Sequence, residues 1–290
     1  MIELPPAYLA QPRWWHGGSE WLADLPGRVD EQCRRWGLEP DGEVMHGSNA
    51  LVVPVRRGQT RFVLRLTPPE DDVAAEVAAL RFWDGRGVVL LMEAEPAAGA
   101  MLLERLDGSR SLQQLPLSEA VPVLGRLMRR LAVPAPTEVR STADVAAARR
   151  VDFPAEWERL GRPFPAATLS LALECAGELS TTGSTLAVNG DLHYEQVLVG
   201  GREPWLCVDP VLLRGDMEYD LARILWSRLD EMSDAEVRRH VATVVDEAGL
   251  DPGRARTWVL FRAVDYWLWG LGRGLTEDPV RCARLVDLFG

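Results

Sequence analysis

The segment that most restricts this chain runs from Val188 to Pro210 and reads VNGDLHYEQVLVGGREPWLCVDP. Asp191, His193 and Glu195 sit in a short polar loop after one β-like run. A hairpin pattern with a Gly200-Gly201 turn follows at once and ends in Asp209. Two strands joined by a tight turn bring the chain back to its starting edge. Asp191 and Asp209 are therefore expected at the same end of the hairpin. A polar turn explains either acid alone. Two acids in register point to chemistry held by a β scaffold.

The rest of the chain divides by pattern. In ALVVPVRRGQTRFVLRL two β-rich runs flank a turn at Arg57-Gly58-Gln59. Phe62, Leu64 and Leu66 then point one way, and Arg61, Val63 and Arg65 the other. An unpaired buried guanidinium costs several kcal/mol, about the worth of a broken buried ion pair, so Arg65 is expected to lie off the core. DDVAAEVAALRFWD repeats apolar residues at Val73, Val77, Leu80 and Trp83, which is helical spacing after an acidic start. VVLLME and AMLLERL are two more strand-like runs, giving β-β-α-β-β. From Gly108 onward helices dominate: Ser118 to Ala132, Pro165 to Thr182, and three more amphipathic stretches beginning near Asp216, Ser233 and Arg254. GSRSL at 108–112 is expected to cap the first of them. The boundary falls in the short connection near Glu104–Gly108, giving a 1–105 lobe of sheet and helix and a 106–290 helical lobe.

Composition limits the partners. The chain has 290 residues and a formal net charge of −11, with no lysine among its 32 basic residues. Binding nucleic acid needs a basic face, so nucleic acid is not an expected partner. A negative surface does favour a cationic small molecule. The longest apolar runs, such as Val88 to Met92, are too short to span a bilayer, and the N-terminus lacks a secretory pattern. A cytoplasmic protein is the expectation. Cys33, Cys175, Cys207 and Cys282 are widely spaced and read as reduced packing residues. His16, His46, His193 and His240 make no metal-binding pair.

Phosphoryl transfer needs an aspartate to orient the acceptor hydroxyl, oxygen ligands for Mg²⁺, and a cation on the phosphates. One solution spaces the first groups as Asp-x-x-x-x-Asn, with a metal-binding Asp on the next hairpin. Here Asp191 precedes Gln196 by five residues, and the hairpin ends in Asp209.

With GSNALVVPV, FVLRL, MLLERLDGSRSL and NGDLHYEQVLVGGREPWLCVDPVLLRGDMEYD in order, the chain resembles the aminoglycoside phosphotransferase superfamily. It is most similar to the streptomycin 6-phosphotransferase group, which includes hydroxyurea-phosphotransferase-like members. The resemblance spans roughly residues 20 to 275. It implies an α+β, bilobal, protein-kinase-like fold, with ATP and Mg²⁺ as cofactors. By position it makes Asp191 the catalytic residue and Asp209 and Gln196 the metal ligands. Gly47, Ser48 and Asn49 fall on the nucleotide-covering loop. Val63 falls against the adenine, Arg65 on the phosphate-binding cation, and Glu76 on that cation's partner. Glu104 to Leu106 fall on the linker meeting the adenine edge. Glu195, Asp216, Glu218 and Asp265 are the acceptor-site candidates, with Trp267 and Trp269 beside Asp265.

Three positions depart from the family pattern. Arg65 replaces lysine, keeping a permanent charge with a planar fork. Gln196 replaces asparagine, keeping the amide oxygen but adding a methylene. Asn189 replaces histidine and cannot titrate. Three functions fit: a kinase of a cationic aminoglycoside with streptomycin leading, a kinase of another small hydroxylated metabolite, or a degenerate kinase-like binding protein. The chain would act as a monomer or homodimer.

Overall fold

The computed structural model describes residues 2–10, 18–68 and 71–290; His16 lies outside them. The chain divides into two compact units, Met1–Gly108 with Val199–Val208, and Ser109–Leu198 with Asp209–Gly290. The first crossing of the chain falls at Gly108/Ser109, whereas the local pattern places it at 105/106. The later return of Val199–Val208 to the first unit has no signature in local pattern.

In the first unit, strands Leu51–Arg57 and Thr60–Leu66 form the expected hairpin, with Val53 opposite Leu64. Strands Ala100–Glu104 and Leu91–Glu95 extend the antiparallel sheet. The alternation sorts side chains as the sequence requires. Leu51, Val53, Val55, Phe62, Leu64 and Leu66 share one buried face with Ala100 and Leu102. Tyr8 and the helix Gly18–Trp36 cover that face through Trp21, Leu25, Val29 and Cys33. Each such aliphatic side chain contributes about 1.5–3 kcal/mol by leaving water. Helix Val73–Trp83 starts at Asp72, whose side chain accepts the Ala75 N–H at 2.9 Å.

The second unit is built from helices around one short ladder. The long helix Pro252–Gly272 packs against Glu277–Phe289, Ala166–Leu179, Leu221–Ser227 and Thr142–Arg159. Trp226 and Trp258 are fully buried in this packing. Strands Leu186–Asn189 and Leu212–Gly215 pair antiparallel, with Asn189 opposite Leu212 and Leu186 opposite Gly215. All four cysteines are free and buried. Among the described residues, no helix is long and apolar enough to cross a membrane.

Several details differ from expectation. Helices Gly18–Trp36, Thr142–Arg159 and Glu277–Phe289 were not anticipated. Each contains a proline, Pro26, Pro154 and Pro279, which reads as a helix breaker when packing is unknown. Leu117–Leu131 contains Pro122 too, yet its apolar spacing is strong enough to be legible. The stretch from Asp216 is not one helix. It is a 3-10 turn at Met217–Asp220, a helix at Leu221–Ser227 and another 3-10 turn at Leu229–Glu231. Ser111 does cap, but it caps the 3-10 turn Leu112–Gln114, and the long helix starts only after Pro116.

Gly215 is fixed by crowding. It adopts φ +142°, and a Cβ there would lie 2.2 Å from the Thr142 hydroxyl, which accepts the Asp216 N–H at 3.1 Å. Gly215→Ala is expected to destabilise the protein by roughly 1–3 kcal/mol, read as a lower urea midpoint at unchanged slope.

Candidate active site

The site starts from the ladder. Beyond Asn189 the chain turns at Gly190, whose N–H donates to Val211 O at 2.8 Å. Asn189 is buried, and its side-chain oxygen accepts two backbone N–H groups, from Asp191 at 3.3 Å and Val211 at 3.1 Å. One amide thus ties the loop bearing Asp191 to the segment following Asp209. Asp209 itself has φ +53°, a left-handed conformation that aspartate tolerates better than most residues. Such outliers persist where the surroundings over-determine them, often at functional positions.

Both carboxylate oxygens of Asp191 are held. Oδ2 accepts from Gln196 Nε2 at 3.0 Å, and Oδ1 accepts from Arg223 Nε at 2.7 Å. His193 Nε2 lies 3.9 Å from Oδ2. Because the Gln196 amide nitrogen faces Asp191, its oxygen faces elsewhere. That Oε1 is buried and has no hydrogen-bond partner among the described residues. A buried carbonyl left without a donor is costly, and a hard cation would satisfy it. Gln196 thus presents an amide oxygen of the kind that could hold a metal ion.

Behind the loop stands a buried ionic layer. Asp220 is buried and accepts the Leu192 backbone N–H. Burial pushes its carboxyl well above the usual range, against the pull of Arg262. Arg262 sits over the Tyr219 ring at 4.3 Å and pairs with Asp265 at 3.1 Å. Arg149 pairs with the other Asp265 oxygen at 2.6 Å. Burial pushes the His193 imidazole down to about 4, helped by Arg223 and opposed by Asp191.

These contacts settle where the acceptor candidates lie. Asp265 is held between two arginines, with its side chain 14% exposed. Trp267 packs on Phe164 at 4.8 Å, while Trp269 stacks on Tyr266 at 4.9 Å. Asp216 is buried and accepts from Thr182, Arg254 and Trp258. Glu218 is buried and accepts the Asp251 N–H at 3.0 Å. Asp216 and Glu218 line a cavity of about 470 Å³ at the end of the ladder opposite Asp191. Glu195 is exposed beside the loop.

In the first unit, Arg65 pairs with Glu76, and both side chains are largely covered. Arg65 thus lies off the hydrophobic face, as the strand alternation requires. Gly47 N–H donates to Ala50 O at 2.9 Å, Asn49 reaches Asp71 at 3.5 Å, and Ser48 lies between them. Val63 and Leu106 are buried. Glu104 is engaged through its side chain, accepting from Leu90 N–H at 3.1 Å and Arg202 at 3.2 Å.

Residues 35–274 match the family model for aminoglycoside/hydroxyurea antibiotic resistance kinases. This chain belongs to that family. The streptomycin 6-kinase of Streptomyces griseus is 38% identical, with 93% of this chain and 92% of that protein aligned. The hydroxyurea phosphotransferase of Kitasatospora aureofaciens is 38% identical over 100% of this chain and 86% of its own length. Among solved structures, an aminoglycoside phosphotransferase APH(4)-Ia variant in complex with AMP-PNP and hygromycin B superposes with a TM-score of 0.65. It shares 17% identity, with 89% of this chain and 97% of that chain covered, and so attests the kinase-like fold.

Sequence reasoning missed Arg223 and the support from Asp220 in this kinase. Arg223 looks like any helical arginine, and only the fold brings it to Asp191. The buried His193 resists a proton that the unfolded chain accepts. Stability present above pH 6.5 is therefore expected to fall as the pH drops from 6.5 towards 4. The contribution is at most about 3.5 kcal/mol. Urea titrations of wild type and His193→Asn across that range check it: the variant should show the shallower fall.

Proposed function

We infer that this family member transfers the γ-phosphoryl group of ATP to a hydroxyl of a cationic aminoglycoside, with streptomycin the leading acceptor. The observation that carries this reading is the Asp191 carboxylate, oriented through both oxygens, beside a Gln196 amide oxygen with no partner. Asp191 would accept the hydrogen of the acceptor hydroxyl and aim its oxygen at phosphorus. Gln196 and Asp209 are the residues that would hold Mg²⁺, which when bound screens the charge of the phosphates. Arg65, kept in place by Glu76, would grip phosphate oxygens with its fork. Val63 and the Glu104–Leu106 backbone would meet the adenine, and Gly47, Ser48 and Asn49 would cover the phosphates. Glu195, exposed in the turn that follows Asp191 in the chain, is the acidic acceptor candidate we favour.

The relatives support this acceptor class, and the net charge of −11 suits a polycation. A small hydroxylated acceptor such as hydroxyurea is the second reading, supported by an equally similar relative. The protein would work in the cytoplasm, as a monomer or homodimer.

Phosphate transfer from ATP in the presence of Mg²⁺, read as mass gain on streptomycin and on hydroxyurea, tests the assignment. Streptomycin should gain one phosphoryl group. Asp191→Ala should lower turnover by about 10²–10⁴-fold at unchanged thermal midpoint. Asp209→Ala should also weaken nucleotide binding in Mg²⁺. Full activity in both variants would remove the loop from the chemistry. Streptomycin KM should rise with added salt, because exposed attraction is screened over about 10 Å at 0.1 M ionic strength. A salt-independent KM would favour the neutral acceptor.

A further inference from the structure

A polycationic acceptor presents a kinase with a choice of groups to place on its catalytic carboxylate. A guanidinium or ammonium binds a bare carboxylate more strongly than a hydroxyl does, because both partners are charged. The result would be a tight complex with the wrong atom facing phosphorus. Asp191 does not stand bare. Arg223 Nε donates to Oδ1 at 2.7 Å, while Gln196 donates to the other oxygen, Oδ2.

Arg223 is fixed. It rises from the short helix Leu221–Ser227, and its Nη1 lies 3.4 Å from the Ser227 hydroxyl, which donates back to Arg223 O at 2.6 Å. Its guanidinium lies over the buried Trp226 ring, 5.7 Å from the centroid. The Trp226 ring stacks in turn on Tyr266 at 4.4 Å. The arginine side chain is 22% exposed and that of Asp191 37%, so the pair faces solvent without being dissolved in it. A carboxylate has about four lone-pair sites, and two are used here. What remains accepts a hydrogen bond but carries little net charge to attract a cation.

Resting on the reading of Asp191 as the catalytic carboxylate, we propose that Arg223 is a positioning residue that sets acceptor orientation. Its built-in guanidinium occupies the place a substrate cation would otherwise take, so that a hydroxyl docks on Asp191. Binding strength and turnover are thereby separated. Arg223 weakens one unproductive contact and favours the productive one, which is the reverse of an ordinary substrate-binding residue.

The test compares wild type with Arg223→Gln, Arg223→Lys and Asp191→Ala, using MgATP and streptomycin. Arg223→Gln should bind streptomycin at least as tightly by calorimetry, while kcat falls roughly ten- to a hundredfold. Arg223→Lys should restore kcat to within a few-fold, and thermal midpoints should match. Guanidinium chloride at millimolar concentration reads the same place without turnover. It should bind Arg223→Gln and not wild type, and an added Asp191→Ala should abolish that binding. Unchanged kcat in Arg223→Gln, or kcat and affinity falling together with the thermal midpoint, would overturn the proposal. An active Asp191→Ala single variant would instead overturn the catalytic reading beneath it.

Discussion

The side-chain oxygen of Asn189 holds this site together. It accepts the N–H groups of Asp191 and Val211, residues from the two sides of a hairpin excursion. The amide is buried at the end of a four-residue ladder, where an unpaired N–H would be expensive. Satisfying both donors at once fixes the loop start against the segment after Asp209. A titrating histidine is not needed for this. Asparagine supplies the same acceptor without a charge that changes with pH, and the neighbouring His193 is kept neutral by burial.

Around that anchor, arginine does work that lysine could not. Arg223 meets Asp191 through Nε, and Arg228 grips both oxygens of Glu231 while donating to Leu115 O at 2.8 Å. Arg262 uses the flat faces of Tyr219 and Trp226 and one Asp265 oxygen. Planar, weakly hydrated guanidinium groups tolerate this mixture of aromatic and carboxylate contacts. The chain's lack of lysine is therefore compatible with a dense interior ionic layer. The layer braces Leu221–Ser227 against Pro252–Gly272, and so the residues that face Asp191.

Much of this was legible in order and spacing. Phe62, Leu64 and Leu66 alternate with Val63 and Arg65, and the sheet follows that alternation. The Asp191–Gln196 spacing predicts a polar loop after a β-like run, and such a loop follows strand Leu186–Asn189. Other features could not be read locally. Pro26 disguised the helix that covers the sheet. Asp265 reads as a surface acid beside two tryptophans, and in the fold Arg149, 116 residues earlier, and Arg262 pair with its two oxygens. Asp216 reads as one of a run of helix-start acids, yet Trp258 and Arg254 bury it. Carboxylate function depends on which cation reaches it first, and that is a property of tertiary packing.

The central proposal is that the Gln196 oxygen, turned away from Asp191, would hold a metal ion. A crystal structure with Mg²⁺ and AMP-PNP tests this most directly. The account predicts Gln196 Oε1 in the coordination sphere at about 2.1 Å, together with an Asp209 oxygen, and the Gln196 Nε2 to Asp191 contact kept. A metal bound without Gln196, or a Gln196 amide turned so that its nitrogen faces the ion, would contradict it.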